Sequence, residues 1–109
     1  MDPERARQLL ERERQRIERA IADLDRAPAD GLDEPGDDGS ADLYQKEFDE
    51  GRAEDLRVQL EALERAEVRL AAGNYGLSVE SGKPIPDERL ESVPTAERTV
   101  QEEQAARGA

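Results

Sequence analysis

The sequence contains no cysteine, no histidine and no tryptophan, and its three aromatic residues are Tyr44, Phe48 and Tyr75. Without cysteine there is no disulfide framework, no thiolate nucleophile and no thiolate cage for a metal. Without histidine the usual general base and nitrogen ligand are missing. No spacing pairs a nucleophile with its base and no glycine-rich loop is placed to cradle a phosphate, so the chain reads as a non-enzyme. Long apolar runs are also absent. Nothing approaches the roughly 18 residues of a spanning helix, and the opening MDPERARQLL has no apolar signal core. The expectation is a cytoplasmic protein with no membrane partner. Leu, Ile, Val and Phe account for 20 of 109 residues, too few for a large spherical core.

Charge is what the chain has in abundance. Its 28 acidic residues oppose 16 basic ones, a formal net charge of -12. Such a chain repels phosphate backbones and anionic lipid at long range, which argues against direct nucleic-acid binding.

Two stretches carry helical periodicity. From Asp2, an expected N-cap, and Pro3, whose missing amide hydrogen costs nothing at the first helical position, a helix is predicted to about Arg26. Its seam is Leu10, Ile17 and Leu24, with Ala6 and Ala20 between them and Leu9 and Ile21 widening the stripe. The segment APADGLDEPGDDGS, residues 27–40, holds too much proline and glycine for either regular period and is predicted to be a loop. Ser40 is placed to cap a second helix from Ala41 to about Ala72, with Ala53, Leu56, Leu60, Leu63 and Leu70 as its seam and Glu67 interrupting it. Each helix is polar on most faces, so the two are expected to pair as an antiparallel coiled-coil hairpin. Folding about the loop centre sets Ile17 near Gly51 and Leu10 near Val58, with the second helix overhanging the first toward the C-terminal segment. After Gly73 the text reads as turn, short strand, turn, short strand to Pro86. One helical turn at Asp87 to Glu91 and a terminal helix over Thr99 to Arg107 follow. The predicted fold is mainly α: a hairpin at 1–73 with an acidic tip at about 27–40, and a small module at 74–109.

The module carries a recognisable run of residues: Tyr75-Gly76, Ser78-Val79-Glu80-Ser81-Gly82, Ile85-Pro86, Arg89-Leu90, Pro94-Thr95-Ala96 and Thr99-Val100-Gln101-Glu102. With the preceding hairpin and its acidic tip, this resembles the DksA/TraR family of RNA polymerase-binding transcription regulators. The resemblance implies a zinc-finger module in which two Cys-x-x-Cys knuckles hold the metal. In this chain the four ligand positions read Ser78, Ser81, Thr99 and Glu102. Serine and threonine hydroxyls stay protonated near neutral pH, which leaves Glu102 as one ordinary ligand, so the family zinc site is expected to be lost and no cofactor is expected. From sequence, two fates stand open for these residues. They either bond one another and nearby backbone beneath Val79, Ile85 and Val100, or they face solvent at turns.

The tip concentrates Asp25, Asp30, Asp33, Glu34, Asp37, Asp38 and Asp42 against Arg26 alone. The resemblance implies that such a hairpin enters the polymerase secondary channel and presents tip aspartates near the catalytic magnesium. The partner-binding candidates are Asp37, Asp38 and Asp42. The family tip commonly reads Asp-x-x-Asp-x-Ala; in this chain Asp37, Asp38, Ala41 and Asp42 keep the residue types and change the spacing. No stretch follows a calcium-binding loop pattern. Tyr44 and Phe48 read either as packing beside the tip or as anchors for a partner. The rival to a polymerase regulator is an adaptor or oligomerising coiled coil that kept the fold, with Leu9, Ile21 and Val58 as a stripe for a second copy. A mimic of nucleic-acid charge is a further alternative. Oligomeric state is left open.

Overall fold

The computed structural model describes residues 1–25 and 39–108, and for 39–48 the backbone alone. Among the described residues four helices follow in order: α1, Pro3–Asp25; α2, Gly39–Ala71; α3, Asp87–Ser92; and α4, Val100–Gly108. The chain is mainly helical and elongated. Its radius of gyration of 18.4 Å exceeds the about 13 Å of a compact chain of this length, and its extents are 58 × 35 × 20 Å.

Helix α1 begins as its residues dictate, since the Asp2 carboxylate accepts the Arg5 amide at 3.2 Å, satisfying one of the donors that a helix start leaves free. Helix α2 begins two residues before the expected start, so Ser40 lies inside its first turn instead of capping it. The first amides of a helix lack intrahelical partners, so a serine costs little there. At its other end, Gly73 has φ +80°. This left-handed conformation lets the Gly73 amide reach the Leu70 carbonyl at 3.1 Å and the Asn74 amide reach that of Arg69 at 2.8 Å, the paired bonds of a Schellman stop.

Helices α1 and α2 run antiparallel, because Arg14 grips Glu67 while Arg16, farther along α1, reaches back to Gln59. Leu10, Ile17, Leu63 and Ala66 form the buried cluster between them, with Ile21, Leu60, Leu70 and Tyr75 at its margin. This register corrects the expectation drawn from the loop centre: Leu10 and Ile17 pack with Leu63 and Ala66, and Val58 is half exposed. The apolar seam decides the pairing, and the 33 residues of α2 against 23 of α1 make the loop midpoint a poor hinge. The overhang is also corrected. The amino terminus reaches the far module, where the Met1 ammonium meets Asp87 at 3.3 Å and Arg5 grips Glu91 at 2.6 and 2.8 Å. Leu9 is buried, so it does not join Val58 on an exposed stripe, and Ala53 of the expected seam is exposed. Glu67 interrupts the α2 seam by forming a two-pronged pair with Arg14, at 2.7 and 3.0 Å, which caps the edge of the interface.

The two short strands expected between Asn74 and Pro86 reduce to one isolated antiparallel bridge, Leu77 with Pro84. Around it the Ser78 amide bonds the Lys83 carbonyl at 2.8 Å and the Ile85 amide bonds that of Gly76 at 2.7 Å. Proline at position 84 has no amide to extend the ladder. A second cluster of Ile85, Leu90 and Ala96 forms the core of this end, with Met1, Tyr75 and Val93 against it. Tyr75 touches both clusters and joins the helix pair to the module.

Candidate functional site

Ser78 is buried, and its hydroxyl accepts the amides of Glu80 and Ser81 at 3.0 and 3.2 Å. This is a local turn closed by a side chain, one that any serine followed by three free residues is able to make. The same hydroxyl donates to Glu102 Oε1 at 2.7 Å. Across the site, Thr99 stands immediately before α4 and Glu102 is its third residue. The Thr99 hydroxyl accepts the Glu102 amide at 3.2 Å while the Glu102 carboxylate accepts the Thr99 amide at 2.8 Å. That reciprocal pair is a capping box, and it satisfies two of the amides that the start of α4 leaves open. The Ser81 hydroxyl accepts the Lys83 amide at 3.3 Å.

The structure therefore brings Ser78, Ser81, Thr99 and Glu102 together, with the Glu102 carboxylate accepting from both Ser78 and Thr99. Hydrogen bonds from Ser78, Ser81 and Thr99 hold that carboxyl down to about 2. The apolar cover differs from the expected one. Ile85 is buried, whereas Val79 and Val100 are exposed. The same residues do not suit a zinc ion. Ser78 already spends its oxygen on two amides and its proton on Glu102, Thr99 spends its oxygen on an amide, and neither hydroxyl loses its proton near neutral pH. Among the described residues no three His, Cys, Asp or Glu side chains gather as a metal site.

The acidic tip candidates fall elsewhere. Asp37 and Asp38 lie outside the described residues, and Asp42 sits in the first turns of α2 with its side chain likewise outside them, as are those of Tyr44 and Phe48.

Sequence reasoning passed over two features of the module. The text Thr99-x-x-Glu102 ahead of a helical stretch is itself a capping-box signature, legible without a structure. Glu97 gave no such signal. Its carboxylate receives Arg65 at 3.0 Å from two nitrogens and Arg69 at 3.2 Å, and its carbonyl accepts the Val79 amide at 2.8 Å. The hydrogen bond from Arg65 holds the Glu97 carboxyl below the usual range. Arg69 is largely buried, and its Nε and Nη2 find no protein partner among the described residues, so Glu97 is what compensates its charge. Glu97 thus binds α2 to the segment that leads into the capping box.

No family model matches the chain. It is 40% identical over 62 residues, 57% of its length, to the uncharacterized protein YteA of Bacillus subtilis (strain 168), and it spans 26% of that protein. Its fold is similar to that of transcription factor DksA2 from Pseudomonas aeruginosa, with a TM-score of 0.67 and 26% identity, covering 97% of this chain and 80% of the other. The fold is DksA-like. That structural neighbour is a transcription factor, not an enzyme. Among the described residues no helix is long and apolar enough to cross a membrane.

Proposed function

We propose that this chain is a cytoplasmic DksA/TraR-like transcription regulator that binds RNA polymerase. In this reading residues 1–73 act as a coiled-coil hairpin, and the hairpin enters the secondary channel tip first. Residues 74–109 act as a cysteine-free relative of the zinc-finger module and contact the channel rim. The observation that carries the reading is the likeness to transcription factor DksA2 over 97% of the chain. Physical form supports it as well. Two helices side by side are slender enough for a channel, and carboxylates at the loop end interact with a metal ion or with basic side chains lining the path. The assigned effectors are Asp37, Asp38 and Asp42, and their action is electrostatic and steric with no bond made or broken.

The test has two arms. Core RNA polymerase retains the intact chain in a pull-down and fails to retain a chain lacking residues 29–40. Reversing the charge at Asp37, Asp38 and Asp42 together abolishes the effect on transcription in vitro while leaving helicity unchanged. Retention without the loop, or activity after charge reversal, overturns the roles assigned to the tip.

The altered tip spacing favours a second reading as an adaptor or oligomerising protein. Sedimentation distinguishes it, since a slender monomer and a paired four-helix body differ twofold in mass.

A further inference from the structure

Residues 74–109 hold few apolar groups, and a segment of this size does not stay folded on such a core without a staple. Its buried cluster is Ile85, Leu90 and Ala96, with Tyr75, Val93 and Met1 at the margin. The staple has two tasks: fixing two turns of backbone and joining them. The first turn is fixed by Ser78, which gathers the amides of Glu80 and Ser81. The second is fixed by the reciprocal bonds of Thr99 and Glu102. Each is complete within four residues of chain. The join is then made across 24 residues by the buried Ser78 hydroxyl on Glu102 Oε1 at 2.7 Å, a part-buried contact.

We propose that the Ser78 and Glu102 contact, seated between the hydroxyl turn and the capping box, is a metal-independent cross-link that closes this module in place of a bound ion. The arrangement is chemically self-consistent. A carboxylate accepts several hydrogen bonds at once, and every donor around this one is a hydroxyl or an amide. The negative charge also lies at the start of α4, where the helix favours it. A divalent ion entering the cluster would have to break the bonds that hold both turns. This inference stands apart from the polymerase reading, because its experiments measure folding and metal content alone.

The full-length chain is purified from zinc-containing medium and its metal content determined. Thermal unfolding is then followed with and without a chelator, and amide exchange is read at Val79 and Thr99. Expected are substoichiometric zinc, a melting temperature that the chelator leaves in place, and exchange at those amides about tenfold faster in Ser78→Ala and in Glu102→Ala. The double variant is expected to lose less than the sum of the two singles, because the contact they share is lost only once while each single also loses its own turn or cap. Stoichiometric zinc whose removal lowers the melting temperature overturns the proposal, and so do single-variant effects that simply add. If Glu102→Ala does not fold, Glu102→Met keeps the side-chain length without an acceptor oxygen, and the same cycle is run with it.

Discussion

Tyr75 shows how much of this molecule hangs on single side chains. Its ring lies against both buried clusters, so it belongs to the helix pair and the module alike. Its hydroxyl donates to the Pro94 carbonyl at 2.7 Å, and burial pushes the phenol up to about 12, which keeps the proton on the donor throughout the ordinary pH range. Removing the hydroxyl alone leaves the Pro94 carbonyl without that partner while the ring contacts persist. Tyr75→Phe is therefore expected to cost about 1–2 kcal/mol, read as a lower denaturation midpoint with an unchanged slope. A midpoint equal to that of the native chain would show that Pro94 finds another donor. Tyr75→Ala also removes the ring and is expected to cost more, about 3–5 kcal/mol, because two clusters open at once.

At the scale of the helices, periodicity made the elements legible and left their pairing undetermined. Asp2 with Pro3 announced α1 and Gly73 announced the end of α2, while Glu67, out of place in a leucine seam, left open an arginine of the facing helix or solvent and is found on Arg14. The register was not legible, because a repeat of seven places equivalent seam positions opposite one another in several alignments and the loop between them does not choose. The same limit hid Glu97: its partners Arg65 and Arg69 lie 32 and 28 residues away on another element, and no local pattern links them. The clustering of Ser78, Ser81, Thr99 and Glu102 was half legible. Their spacing matched that of the ligand positions they replace, while the bonds that join them depend on where α4 begins. Substitution decides between the two registers. Ile17→Ala and Leu63→Ala are each expected to cost about 2–5 kcal/mol, since both side chains are fully buried in the same cluster. Val58→Ala is expected to fall within about 0.5 kcal/mol because half of that side chain is already in water. Equal losses at Val58 and Leu63 in urea denaturation would return the pairing to the loop-centred register.

Over the whole molecule, charge and shape set the response to pH. A net charge of -12 on a compact sphere would make acidification stabilising through relief of repulsion. This body is 58 Å long, so most like charges lie beyond the roughly 8 Å over which salt leaves them coupled at physiological ionic strength. The short-range pairs then dominate. Arg5 holds the Glu91 carboxyl below its ordinary 4.5, Arg65 does the same to Glu97, and the Ser78 hydroxyl, with Ser81 and Thr99, holds Glu102 at about 2. In the unfolded chain these carboxylates take up protons near 4.5, and in the folded one they do so at lower pH. Between the two values the unfolded state binds more protons, and stability falls as pH falls. Their contribution is complete above 4.5 and is lost as pH drops through the folded values, last of all for Glu102 near 2. The melting temperature followed by circular dichroism is accordingly expected to be nearly flat from about pH 7 to about 5.5 and to decline below about 4.5. In Glu102→Gln the midpoint is lower at neutral pH and the decline is shallower at the acid end, because one of the protonating groups has been removed. A melting temperature that rises steadily on acidification would mean that long-range repulsion outweighs the arginine and hydroxyl contacts of these three carboxylates.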